Sequence, residues 1–136
     1  LQFFLQTNYG QARWERVAER AHVEPDDFEP MFMYDDSVTE AIISAAAAEL
    51  DVEVSAFLED LGASLVRIEP VRRLMRFGGG DFSEFLFSLD ELQSRAQMAL
   101  ADFELPELVM EHHRGLRFDF LVRGRPAGWG AVLAGI

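Results

Sequence analysis

The stretch Phe85-Leu86-Phe87-Ser88-Leu89-Asp90-Glu91-Leu92-Gln93 decides how the rest of the chain is read. Extended on both sides, it puts Phe82, Leu86, Leu89, Gln93, Ala96 and Leu100 on one helical stripe. All but Gln93 are apolar. An amide on such a stripe has two readings. It sits at the wet edge, with Leu92 taking the core position, or it is buried and hydrogen-bonded in a residual pocket. Gly78-Gly79-Gly80 predicts a turn before this helix, and Asp81 can cap its start. The helix is expected to hold Phe85 and to run to about Ala99.

Further helices are expected on the N-terminal side. Leu1 to Gln6 reads as an apolar helical segment, broken at Asn8-Tyr9-Gly10. Trp14, Val17 and Ala18 keep helical spacing in a second segment, Gln11 to Ala21. His22 to Pro30 reads as loop. Ser37-x-x-Glu40 reads as a capping box opening an Ala-rich helix to about Leu50. Val54, Phe57, Leu58, Leu61 and Leu65 mark another helix, and Pro70 to Arg76 a shorter one. On the C-terminal side Leu108 to His112 and Leu116 to Val122 alternate as strands do, with His113-Arg114-Gly115 as the hairpin turn. Trp129 to Ile136 reads as a helix cut off at the end. Helices first and strands after predict an α+β fold, a helical N-terminal half packed on a small antiparallel sheet. Residues 1–136 are expected to form a single domain, incomplete at both ends, since the chain opens on Leu1 without a Met.

Composition narrows the chemistry. The net charge is −12, and every basic residue is arginine. This acidity argues against nucleic acid or an anionic membrane as partner. With no cysteine, disulfides, thiolate catalysis and zinc–thiolate sites are excluded. No apolar run reaches the roughly 18 residues of a membrane span, and no signal peptide is evident, so a cytoplasmic location is expected.

The other candidate sites have plainer readings. Adjacent strand residues point to opposite faces, so His112 and His113 cannot hold one metal together and are expected on the surface or in the hairpin. His22 fits a helix C-terminus. The glycine turn lacks a following lysine and reads as a turn, not a phosphate loop. Asp26-Asp27 and Asp35-Asp36 lack the spacing of a calcium loop and read as solvated charge. No nucleophile and base arrangement stands out, so no catalytic residue and no metal ligand is expected.

On several of these segments the chain resembles the haem-nitric oxide/oxygen-binding (H-NOX) family. Phe85 to Gln93 resembles the family's proximal helix, "F-L-x-x-L-D-x-L-H", whose final His ligates the haem iron. Gln93 stands at that place, and an amide is a far poorer iron ligand than an imidazole. Tyr9-Gly10-x-x-x-Trp14 resembles "Y-G-x-x-x-W". Tyr34-Asp35-Asp36 resembles "Y-P-D-E". Leu58 to Gly62 resembles "L-L-x-x-F-G", with Leu61 before the glycine. Pro106 lies thirteen residues after Gln93, where the family has a proline packed on the haem. The family's "Y-x-S-x-R" strand grips the haem propionates from one face. Aligned on Arg125, this chain offers Leu121, Arg123 and Arg125, of which only the arginine is kept.

The resemblance implies an H-NOX-like domain whose haem-pocket positions, Leu89, Gln93, Pro106, Leu121, Arg123 and Arg125, are degenerate. Haem is the implied cofactor and is expected to be absent or weakly held. The implied function is a non-catalytic sensory or regulatory signalling domain acting on a partner such as a cyclase or kinase. The alternative is a haem-binding NO/O2 sensor with a non-His ligand or none. In a haem-free domain, Phe82, Phe85, Leu86, Leu89 and Met98 are expected to occupy the space, with Pro106 packed on the helix.

Overall fold

The computed structural model describes residues 1–26, 28, 34–91, 94, 98, 107–115, 117–123 and 128–136. The chain divides into two compact units, Leu1–Ser64 with Pro126–Ile136, and Leu65–Arg125.

The first unit is helical. Helix α1 (Gln2–Tyr9) stops at Gly10, whose φ of 87° suits a residue without a Cβ. Helix α2 (Gln11–Ala21) buries the Trp14, Val17 and Ala18 stripe that the spacing predicts. It ends at His22 in the left-handed conformation, with the Val23 N–H returning to the Ala18 carbonyl. Helix α3 (Asp36–Leu50) packs on α2. The small buried side chains Ala45, Ala46 and Ala47 leave room for a close neighbour. The Glu49 carboxylate accepts from Arg16 at 2.6 Å and lies 3.6 Å from Arg20.

The start of α3 corrects the capping box expected at Ser37. Asp35 is the N-cap: its backbone is extended, so its carboxylate accepts from the Ser37 N–H at 2.8 Å. Ser37 is already inside the first turn.

Helix α4 (Val54–Leu65) buries Phe57, Leu58 and Gly62. Phe57 is 1% exposed and meets Phe4 edge-on at 5.7 Å. Burying such a side chain contributes about 1.5–3 kcal/mol. Helix α7 (Trp129–Gly135) crosses α4 at backbone contact: a Cβ on Gly62 would collide with the Val132 carbonyl, and one on Gly135 with the Glu59 carbonyl.

The second unit holds α5 (Glu69–Met75), a 3-10 turn over Arg76–Gly78, α6 (Phe82–Ser88), a second 3-10 turn over Leu89–Glu91, and the hairpin. Gly78 therefore belongs to a 3-10 turn rather than to a three-glycine loop. Strands β1 (Glu107–His112) and β2 (Phe118–Arg123) are antiparallel, from Glu107 opposite Arg123 to His112 opposite Phe118. The His113 N–H donates to the Arg117 carbonyl at 2.9 Å, and Gly115 turns the chain at φ 74°. The α+β class expected from the sequence is what the chain adopts. The second strand begins two residues later than expected, and Leu116 lies outside the described residues.

Candidate functional site

Helix α6 opens as the sequence predicts. The Asp81 carboxylate accepts from the Glu84 N–H at 2.9 Å, and the Glu84 carboxylate accepts from the Gly80 N–H at 2.7 Å. Each carboxylate thus satisfies one backbone donor at the helix start.

The helix does not continue in α form, contrary to the expected run from Phe85 to Ala99. The Ser88 hydroxyl donates to the Phe85 carbonyl at 2.7 Å, and the Leu89 N–H turns to the Leu86 carbonyl. A serine hydroxyl that occupies the i−3 carbonyl competes with the α ladder and tightens the turn. Ser94 and Met98 are again helical.

The apolar stripe is buried only in part. Leu86 and Leu89 are buried, and the Leu89–Glu91 turn packs against β1, whose Leu108 is also buried. Phe85 is half-buried. Phe82 and Met98, expected to fill space in the interior, are 67% and 80% exposed. The register change at Leu89 lies C-terminal to Phe82, which shares an α-helical face with buried Leu86 and is exposed nonetheless. The Phe87 ring meets the His112 ring edge-on at 5.6 Å.

On β2, Leu121 and Arg123 share a face, as alternate strand residues do. That face is the open one. Leu121 is half exposed, and the Arg123 guanidinium lies 4.0 Å from the carboxylate of Glu107, its cross-strand neighbour. Phe120 and Val122, on the opposite face, are partly covered. Gln93, Pro106 and Arg125 lie outside the described residues, as does the expected packing of Pro106 on the helix. Of the six pocket positions, the structure therefore describes Leu89 in the core and Leu121 and Arg123 on the open face of the hairpin.

The three imidazoles are where the sequence puts them. His22 caps α2 and is exposed. His112 Nε2 lies 3.0 Å from the Gly115 carbonyl, and His113 Nε2 lies 2.8 Å from the Asp119 carboxylate. Among the described residues no cluster of His, Asp or Glu could hold a metal ion. Among the described residues every imidazole is exposed, and the Arg123 guanidinium faces Glu107.

Sequence reading missed one feature. Phe3, Trp14, Phe28 and Tyr34 border a cavity in the first unit. They come from α1, α2 and the segment before α3, and no short motif joins them. In the sequence Trp14 is legible as a helix-stripe residue and in the Tyr9-Gly10-x-x-x-Trp14 motif, but not as part of a cavity wall.

The helices, the short α6 with its 3-10 end, and the hairpin together make the fold of a known class of sensor domain. The chain is similar to the structure of a T. tengcongensis H-NOX mutant, at 16% identity and TM-score 0.79, covering 98% of this chain and 74% of that one. It is also similar to a Cs H-NOX mutant, at 18% identity and TM-score 0.67, covering 82% and 61%. A third is described as an oxygen-binding H-NOX domain related to soluble guanylate cyclases, at 16% identity and TM-score 0.72, covering 98% and 72%. At such identities these likenesses speak for the fold. No curated protein matches the sequence. The haem-NO-binding family model matches residues 1–120, and the chain belongs to that family.

Proposed function

We propose that this chain is a non-catalytic sensory or regulatory domain, haem-free or weakly haem-binding, that acts through a partner protein. The carrying observation is the donor set. Gln93 stands at the position that corresponds to the family's iron-ligating His, and the chain's three histidines are spent on a helix cap and a hairpin. An imidazole is a good ligand for haem iron, and a primary amide is a poor one. Family membership and the relation of one structural neighbour to guanylate cyclases support a cyclase or kinase as the partner class. The acidic charge supports a protein partner rather than nucleic acid or an anionic membrane. No helix among the described residues is long and apolar enough to cross a membrane. A cytoplasmic location is part of the same proposal.

The test is haem stoichiometry. The protein is expressed with excess haem, passed through gel filtration, and its Soret absorbance compared with protein concentration. The expected result is absent or clearly sub-stoichiometric haem. A tightly held, stoichiometric haem overturns the reading in favour of a gas sensor with an unusual axial ligand.

A further inference from the structure

Strand β2 pairs with β1 on one side, and among the described residues no strand lies on the other. That second edge presents a row of backbone donors and acceptors. The His113 N–H bonds the Arg117 carbonyl, so His112 and Phe118 form a non-hydrogen-bonded pair. Alternation along the ladder turns the backbone groups of Asp119, Leu121 and Arg123 toward β1, and those of Phe120 and Val122 outward.

The side chains beside this edge are arranged about Leu121. Asp119, Leu121 and Arg123 point to the open face of the hairpin. Leu121 is half exposed, and the side chains of Asp119 and Arg123 are 55% and 64% exposed. Asp119 meets His113 at 2.8 Å and Arg117 at 3.8 Å, and Arg123 lies 4.0 Å from Glu107. Both charges therefore keep room for a further partner. A second β2 laid antiparallel along the edge, with a twofold axis at Leu121, sets each Leu121 against its counterpart. Each Asp119 then stands opposite the other copy's Arg123, and Phe120 exchanges backbone bonds with the other copy's Val122.

The outer edge of β1 gives the contrast. The same twofold placed at Val109 sets Glu107 against Glu111 at both ends, a like-charged pairing. Charged side chains on an edge strand ordinarily discourage pairing. On β1 they share one sign and repel a copy, whereas on β2 they have opposite signs and match one. The net charge of −12 resists association of any two copies, so these local pairs select a register rather than supply a tight interface.

We propose that β2 is a self-association edge: two copies of this chain join through antiparallel β2 strands into a four-stranded sheet, with Leu121 on the twofold axis. The interface is isologous and closes on itself, which makes a dimer and not a filament. Two strand edges bury little surface, so the dimer is weak and concentration-dependent. The inference does not depend on whether the chain holds haem.

Sedimentation equilibrium from roughly 10 μM to 1 mM tests it. The wild type is expected to pass from monomer to dimer over that range. Asp119→Arg and Arg123→Asp each place like charges opposite one another twice, and each is expected to weaken self-association about tenfold or more. Mixed in equal amounts, the two variants regain both opposite-charge pairs and are expected to associate as the wild type does. Leu121→Cys reads the register in a chain that has no cysteine of its own. Counterparts on the axis have Cα atoms about 4.5 Å apart, within reach of a disulfide, so mild oxidation is expected to link two copies. Glu111→Cys, on the same face but on β1, is expected to stay unlinked. Circular dichroism checks that each variant keeps the wild-type secondary structure. A wild type that stays monomeric throughout overturns the proposal. So does a mixture of the charge variants that associates no better than either alone, and so does equal cross-linking of the two cysteine variants.

Discussion

Gly62 sets the distance between α4 and α7, and adding one methyl group there tests that crossing. In Gly62→Ala the new Cβ would overlap the carbonyl oxygen of Val132 and crowd its carbonyl carbon. The obstacle is backbone, so no side chain can rotate away and α7 must retreat. Overpacking of this kind costs about 1–3 kcal/mol, and a backbone obstacle argues for the upper end. Alanine itself is favoured over glycine inside a helix by about 1 kcal/mol. The balance is a net loss of about 2 kcal/mol. For a chain of this length that lowers Tm by about 8 °C. Gly130 supplies the internal control. It lies in α7, is exposed, and a Cβ there meets nothing within 4 Å. Gly130→Ala should gain a few tenths to about 1 kcal/mol from helix preference alone. The two variants, each the same chemical change, should therefore move in opposite directions in a thermal melt followed by far-ultraviolet circular dichroism. If Gly62→Ala melts at or above the wild-type temperature, the α4–α7 crossing is not at backbone contact and the reasoning fails.

Gln93→His restores an imidazole where the family has one. Titrated with haemin beside the wild type, it should bind haem more tightly, though only in part, since Leu121 and Arg123 do not rebuild a propionate grip; equal affinity would refute the assignment of that position. Phe57→Ala empties the most buried aromatic site after Trp14 and should cost about 3–5 kcal/mol in urea denaturation, with a loss under 1 kcal/mol counting against the packing described. Hydrogen bonds from Ser37 hold the Asp35 carboxyl below its ordinary pKa, and the bond from Arg16 does the same for Glu49. A depressed carboxylate pKa stabilises the fold above the unfolded-state value, and that stability is lost as pH falls through the folded value. Asp35→Asn and Glu49→Gln should therefore each flatten the acid limb of a stability–pH curve below about pH 4; an unchanged limb in both would show that these bonds do not persist in solution.

Much of the fold was legible because it rests on local rules. Trp14, Val17 and Ala18 gave α2 by spacing alone, and Phe57 with Leu58 gave α4. Asp81 signalled the start of α6, and alternation with a glycine turn gave the hairpin. Each of these depends on neighbours a few residues apart, which a linear reading contains. The family was legible for the same reason, in short motifs such as Tyr9-Gly10-x-x-x-Trp14 and the Phe85 to Gln93 segment. Other features depend on which atoms compete for one partner or which elements meet. Ser88 takes the Phe85 carbonyl where the α-helix gives way to a 3-10 turn, and Phe82 stays exposed although it shares a helical face with buried Leu86. Leu121 and Arg123 share a face by periodicity, but only the pairing of Arg123 with Glu107 and the burial of Leu108 show that this face is open. The cavity walled by Phe3, Phe28 and Tyr34 draws on residues far apart in sequence. Periodicity records the direction of a side chain relative to its own element, whereas burial, partner and cavity are set by what the rest of the chain brings against it.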